Sequence, residues 1–345
     1  MVGRLPYDPR RQIGAAESEG YTVRAAVYDR TGPAAEVLRV VDIERPEPGP
    51  GEVRVQVKVS GINPTDVKSR DGATPRPIDG FQIPHHDGAG VIDAVGPGGP
   101  ADRIGQRVWL YLAAAGRRWG TAAEWTVVPE SHAVPLPDGV SLELGASLGV
   151  PALTAHHLVF ADGPVKDATV LVAGGAGAVG HFSLEFAAWG GAARLASTAS
   201  SPAKAELARQ AGAGHVVNYT DPGAASQITA AVGPVDRIVE VALGANLPLD
   251  LAISRPGTVV ACYAAEPQEP VLPVRACMTA NIVLRFMLLY TMPQSARDQG
   301  VADIGTALRA GALTELPEHT FSLDEIVAAH EAVEQGVSGK VLVIP

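Results

Sequence analysis

The rhythm of apolar and polar positions changes once along this chain, near residue 140. Before that point, short apolar runs alternate with polar positions and stop at turns such as "PEPGPGE" and "GPGGPAD". "YTVRAAVYD", "GEVRVQVKVSG", "GAGVIDAVG", "GQRVWLYLA" and "AAEWTVVPE" read as strands of this kind. Short strands in such succession predict a β-barrel-like domain. Next, "SLELGASLGVPALTAHHLV" reads as a helix. Apolar runs then alternate with helical stretches: "ATVLVAG", "ARLASTAS", "HVVNY", "DRIVEVA" and "GTVVACYA". That alternation predicts parallel strands joined by crossover helices, ending near "NIVLRFMLLY". Two helices, "ADIGTALRAGAL" and "SLDEIVAAHEAVEQG", precede a last strand, "GKVLVIP". A last strand must pair, and this one is expected to return to the first domain. No internal repeat interrupts the pattern.

At 345 residues the chain exceeds one ordinary core and suits two domains. The hydrophobic fraction is 46% and the charged fraction 19%, a compact soluble composition. A net charge of −10 argues against a nucleic-acid partner. No apolar run reaches the length that spans a bilayer, so no membrane partner is expected. Residues 1–21 carry arginines without the apolar core of a secretory signal and read as an N-terminal extension. Cys262 and Cys277 make neither a disulfide framework nor a zinc knuckle. A cytoplasmic location is the default expectation.

The stretch "VLVAGGAGAVGHFSLEFAAWGG" carries the first chemistry. Gly175, Gly177 and Gly180 form a GxGxxG between a strand candidate and a helix candidate, the context that dinucleotide binding requires. The first glycine permits a tight turn, the second a close approach of backbone to pyrophosphate, and the third helix–strand packing. The helix N-terminus offers free N–H groups to the anion. The cradle so predicted takes in Gly174, Gly175, Gly177, Ala178, Val179 and Gly180. A glycine-rich turn that binds nothing is the plainer alternative.

The second strand runs into "STASSPAKAE", without the acid that would bind the ribose hydroxyls of NAD. Ser200, Ser201 and Lys204 stand there instead, suited to a 2′-phosphate, so the expected cofactor is NADPH. Ser201 followed by Pro202 also suits a helix N-cap, and both roles can coexist.

With these residues in hand, the chain resembles the medium-chain dehydrogenase/reductase superfamily, in particular its zinc-free quinone oxidoreductase (zeta-crystallin-like) branch. "GINPTDVKSRDG", "DGAGVIDAVG", "LGVPALTAHHLV", "SSPAKAELARQAGAGHVVNY" and "GKVLVIP" carry the resemblance in order, from about residue 22 to the end. It implies an α/β fold with a GroES-like β-barrel catalytic domain and a Rossmann domain, a doubly wound parallel sheet. The expected bounds are 22–145 with 292–345 for the catalytic domain and 146–291 for the NADPH-binding domain. It further implies that Ser200, Lys204 and Tyr219 contact the 2′-phosphate. Thr154, Val241, Tyr263 and Lys340 match other cofactor-side positions, and a homodimer or homotetramer is expected.

Zinc-dependent relatives hold a catalytic zinc on three residues. The matching positions here look like Asn63, His86 and Val150, which offer one ligand of three, so no metal is expected. His86 and Asp87 read as remnants of a His-Glu pair making local hydrogen bonds, and His156 and His157 as packed or surface histidines. Without a metal, the remaining task for NADPH is hydride delivery to an activated acceptor, a quinone or an α,β-unsaturated carbonyl (enone). Asn63 and Lys68 are the expected catalytic residues. Asn63 orients the nicotinamide ribose or a substrate oxygen. The Asn-Pro-x-Asp-x-Lys form of Asn63 to Lys68 is similar to that of enone and enoyl reductases, where an ammonium can bind the ribose or stabilise an enolate. An exposed helix lysine is the alternative for Lys68. Asp66 is placed either to hold Lys68 or to cap the turn. Two other functions stay open: a tailoring enoyl reductase for a large biosynthetic intermediate, and a non-catalytic NADPH-binding interaction protein. The apolar "NIVLRFMLLYTMP" suits a pocket lining, a core segment or a dimer strand.

Overall fold

The computed structural model describes residues 21–74, 76–265 and 270–345. The expected extension, apart from Tyr21, lies outside the described residues. The chain begins with β1 (Thr22–Val27), a short helix α1 (Ala34–Val37) and β2 (Arg39–Glu44), which pairs antiparallel with β1. The long β3 (Glu52–Ile62) leads into α2 (Pro64–Asp71), β4 (Asp87–Val95), β5 (Arg107–Leu110), β6 (Trp125–Pro129) and β7 (Ala133–Pro135). β3 has β4 along one side; along the other it pairs β6 with its first half and a C-terminal strand with its last residues.

α3 (Leu142–Phe160) then crosses into the second sheet. Its sequence is apolar nearly all round, as a helix enclosed by other elements must be, and Leu148, Leu153 and Leu158 are fully buried. The second sheet takes β8 (Thr169–Ala173), β9 (Arg194–Ala199), β10 (His215–Asn218), β11 (Val235–Glu240), β12 (Ser254–Cys262) and β13 (Val283–Phe286). Between them run α4 (Ala178–Trp189), α5 (Pro202–Gln210), α6 (Ala224–Val232), α7 (Leu243–Ile253) and α8 (Val274–Thr279). All pairings are parallel, in the order β10-β9-β8-β11-β12-β13. The central strand β8, "TVLVA", is buried at every residue, as helices on both faces dictate. The order reverses between β8 and β11, and the crevice above their C-terminal ends is where such a sheet receives a ligand.

The chain returns through α9 (Gln294–Arg309), β14 (Glu318–Ser322), α10 (Ile326–Glu334) and β15 (Lys340–Ile344). β15 pairs antiparallel with the end of β3, Val341 opposite Ile62, so the last strand does rejoin the first sheet. α9 begins eight residues before the stretch read as helical, and β2 and β14 escaped the pattern altogether. Both are strands at the edges of their sheets, where an apolar alternation is weakest.

Candidate active site

A cavity of about 350 Å³ opens above the reversal point. Its wall comes from the turn after β8 (Gly174, Gly177), the end of β9 (Thr198, Ser200), Lys204, Tyr219 and Val241 after β11. Asn246 of α7 and the segment 336–338, just before β15, complete it.

The glycines divide the work differently from the sequence reading. The left-handed residue of the turn is Gly174, at φ +69°, rather than Gly175. A Cβ on Gly175 would lie 2.4 Å from Ser197 Oγ, and one on Gly180 would lie 2.3 Å from the carbonyl oxygen of Gly174. Those two glycines therefore serve packing. A Cβ on Gly177 would meet only that same carbonyl, at 3.5 Å, so its missing side chain keeps the cavity open. Gly177 is the N-cap of α4, and no acidic residue occupies the first turn. The N–H groups of Ala178, Val179 and Gly180 thus belong to an unopposed helix N-terminus beside the cavity. Two hydroxyls hold the turn in place: Gly175 N–H donates to Ser197 Oγ (3.1 Å) and Gly174 N–H to Thr198 Oγ1 (3.3 Å).

Ser201 caps α5, accepting from Lys204 N–H at 3.3 Å, and does not line the cavity. Ser200 and the Lys204 side chain do, and Lys204 makes no ion pair among the described residues. Tyr219 lines the same end at 46% exposure. Thr154 is buried within α3 and Tyr263 follows β12; neither is part of this wall.

A second construction lies below the first, made of buried side chains. Asn63 caps α2, and Asp66 returns the favour by accepting Asn63 N–H at 2.8 Å, a capping box. Asp66 therefore caps and does not hold Lys68. Asn63 Nδ2 donates to Asp87 Oδ2 (2.7 Å), and Asn63 Oδ1 accepts from Lys340 Nζ (2.8 Å). Lys340 Nζ is also 3.6 Å from Asp87 Oδ2, and Asp87 Oδ1 accepts the Val150 N–H at 2.8 Å. Gly149 makes that last contact possible, since a Cβ there would lie 2.1 Å from Asp87 Oδ1. Asp87 thus joins three distant segments, where only local bonds were expected.

Burial governs the electrostatics here. It pushes Asp66 up to about 7, with the neighbouring Asp87 charge adding to the effect. Burial raises Asp87 as well, against the opposing pull of Lys340, and it lowers Lys340 against the pull of Asp87. His86 is 1% exposed and lowered to about 3 by burial and by the Arg76 charge, so it is neutral. Arg76 Nη1 donates to His86 Nε2 at 3.1 Å and its guanidinium lies 4.9 Å from the centre of the Tyr290 ring. Tyr290 O–H donates to Thr65 Oγ1 at 3.0 Å.

Lys68 is not in this cluster. Positions 63, 66, 67 and 70 share one helix face and are buried, which turns Lys68 to solvent, where it makes no hydrogen bond or ion pair among the described residues. The lysine that meets Asn63 is Lys340, which arrives from the other end of the chain. Arg76 and Tyr290 were not singled out in the sequence as site residues; neither lies in a motif, and only the fold brings them to His86. His156 is packed, against Phe160 and Phe186, with Nε2 2.8 Å from Asp303.

Residues 49–138 match the alcohol dehydrogenase GroES-like domain family, and residues 178–303 match the zinc-binding dehydrogenase family. The quinone oxidoreductase of Homo sapiens is 27% identical over 324 residues, which cover 92% of this chain and 96% of that protein. A 2-haloacrylate reductase of a Burkholderia species is 28% identical over 326 residues, covering 89% of this chain and 94% of that protein. The solved structure of a mycobacterial protein complexed with NADPH superposes with a TM-score of 0.81 at 29% identity, covering 94% of this chain and 100% of its own.

Proposed function

The chain belongs to the quinone oxidoreductase branch of the medium-chain dehydrogenase/reductase superfamily, and on that premise we propose that it uses NADPH to reduce a quinone or an α,β-unsaturated carbonyl without a metal. The observation that carries the reading is the Lys204 end of the cavity. An ammonium without a carboxylate partner, Ser200 and Tyr219 stand where an NAD enzyme would place an acid. The open wall at Gly177 and the N-terminus of α4 suit the pyrophosphate. These features fit NADPH, which when bound supplies the hydride.

Zinc does not fit the donor set. The Asn63 amide is engaged with Asp87 and Lys340, Val150 has no ligating side chain, and His86 Nε2 accepts from Arg76. Among the described residues, no three His, Cys, Asp or Glu side chains are grouped to hold a metal ion. An ammonium and a guanidinium beside these positions oppose a divalent cation. The chain's own contribution is then positioning and charge: Asn63, fixed by two partners, offers a rigid polar edge, and Lys340 offsets Asp87 in a water-poor site.

We also propose that two copies pair along β13, the sheet edge. Phe286 (67% exposed), Met278 (70%) and Leu288 (55%) would be covered there. Light scattering of the wild type and of Phe286→Lys tests this, a dimer that the substitution dissociates being the expected result. No helix among the described residues is long and apolar enough to cross a membrane. Cys262 and Cys277 are both free, which supports a cytoplasmic setting.

The test of the reaction is loss of NADPH absorbance by chelator-treated protein with phenanthrenequinone or a simple enone, and NADH as control. NADPH-selective turnover of either acceptor is expected. Activity that disappears with the chelator and returns with zinc overturns the metal-free reading. Binding of NADPH without turnover of any acceptor overturns the reductase.

A further inference from the structure

Arg76 is the one cation of the buried cluster that the network leaves with free donors. An arginine N–H can only donate, so the 3.1 Å contact makes His86 Nε2 the acceptor and puts the ring proton of His86 on Nδ1. His86 Nδ1 is buried and has no partner. The His86 nitrogen that faces Arg76 is therefore filled by a guanidinium. Arg76 makes no ion pair with a carboxylate among the described residues; Asp66 Oδ2 is taken by Asn63 N–H. Nη1 is engaged with His86, while Nη2 and Nε make no hydrogen bond. Those two form the planar fork that carboxylates fit with two parallel bonds. The plane is held in place by the Tyr290 ring, which Thr65 anchors in turn.

The location suits an acceptor. Arg76 and His86 belong to the first sheet's side of the molecule, and Tyr290 follows β13 of the second. The cavity above the reversal point is likewise walled from both sides, by the turns of the second sheet and by residues 336–338 before β15. Through His86, Asp66 and Asn63 the guanidinium is continuous with the Lys340 cluster.

We propose that Arg76 is the acceptor-binding residue of this enzyme, and that the site favours conjugated acceptors bearing a carboxylate over neutral ones. This rests on the reductase reading and names its substrate class. Hydride addition to the β-carbon breaks the C=C π bond and moves that electron pair toward the acceptor's oxygens, which Arg76 holds. A proton from water then completes the α-carbon, and the hydride comes from NADPH, which leaves as NADP⁺. The guanidinium keeps its own protons throughout and stabilises the negative charge, as a preorganised cation does in a site shielded from water.

Calorimetry with benzoate and its neutral isostere benzamide reads the fork directly, on cofactor-free and NADP⁺-saturated protein. Benzoate is expected to bind the wild type at least about tenfold more tightly than benzamide, a charge-assisted pair being worth about 1.5–3 kcal/mol. Arg76→Gln is expected to lose that preference and Arg76→Lys to keep part of it, with NADP⁺ affinity unchanged in both. Equal binding of benzoate and benzamide by the wild type, a comparison that needs no variant, overturns the proposal. So does an Arg76→Gln protein that melts normally and still prefers benzoate. Should Arg76→Gln fold poorly, Arg76→Lys and the wild-type comparison decide. Turnover of phenanthrenequinone with no benzoate preference sinks the Arg76 assignment alone. A benzoate preference in a protein that oxidises NADPH with no acceptor sinks the reductase reading and leaves an anion site at Arg76.

Discussion

The cofactor cradle and the buried cluster beneath it are built on opposite principles. The cradle is backbone: a left-handed glycine, a helix N-terminus, and short hydroxyls of β9 that hold the turn from one strand away. Much of its wall is open to solvent, and it is shaped by what is missing, above all the side chain of Gly177. The cluster is side chain: Lys340 reaches Asn63 across 277 residues of sequence, and Asp87 reaches Val150 across 63. Its charges are sealed from water, so each depends on the others. A backbone site tolerates change wherever the cavity has room. A sealed network of charges tolerates little, because removing one member leaves another buried and uncompensated.

The largest expected effect separates two lysines. Lys340→Met should cost about 3–5 kcal/mol, since Asp87 then loses its only cation within 4 Å while remaining out of water. Lys68→Met should change stability by no more than about 0.5 kcal/mol and leave turnover intact, because Lys68 is exposed and unpaired. Urea unfolding and NADPH oxidation on both variants check this. Equal stability for the two would break the distinction between sealed and open regions.

A second pair divides the cradle itself. Gly180→Ala forces a methyl group against the Gly174 carbonyl and should destabilise the protein by about 1–3 kcal/mol, with NADPH binding disturbed as a consequence. Gly177→Ala should fold as the wild type does and bind NADPH roughly tenfold more weakly, because its methyl group enters the cavity. Melting curves and cofactor fluorescence titrations tell the two apart. A Gly177→Ala protein with unchanged affinity would mean that the cofactor does not approach this turn.

Lys204→Ala probes charge in the open region, where the loss should appear in binding and not in folding. A charge-assisted hydrogen bond of about 1.5–3 kcal/mol corresponds to a 10- to 100-fold weaker NADPH complex. NADH affinity should hold within about twofold, and so should the melting temperature. An equal loss for both cofactors would remove the 2′-phosphate from this end of the cavity.

The same contrast decides what the sequence could disclose. The Rossmann sheet was legible because each strand is a short apolar run followed by a helix, and the cradle because its residues stand within a few positions of one another. Ser200, Lys204 and Tyr219 fall on one cavity wall as their spacing along β9, α5 and β10 suggested. Local reading also misled: Gly174, outside the GxGxxG motif, takes the left-handed turn, and Lys68 lies within a motif but faces solvent. Arg76 and Tyr290 stand in no motif, and neither hydrophobic periodicity nor spacing marks a side chain that acquires its partner only through tertiary pairing. Lys340 was noticed through resemblance, yet its bond to Asn63 follows from β15 pairing with the end of β3.

The finest test is a pH dependence inside the sealed region. Burial, aided by the Asp87 charge, raises Asp66 to about 7, against an unfolded value near 3.9. Between those values the folded chain binds a proton that the unfolded chain does not, so this group lowers stability progressively as pH rises from about 4 to about 7. Above that range the penalty is complete; below it there is none. Asp66→Asn keeps an oxygen for the Asn63 N–H but has no charge to bury. The melting temperature of Asp66→Asn relative to wild type should therefore rise by a few degrees between pH 5 and pH 8, then level off. Buried His85, His86 and His330 are held neutral in both proteins, so their shared acid sensitivity cancels in the difference. A difference that is flat with pH would place Asp66 in water, at the level of an ordinary cap, and would move the boundary between the two regions inward to Asn63.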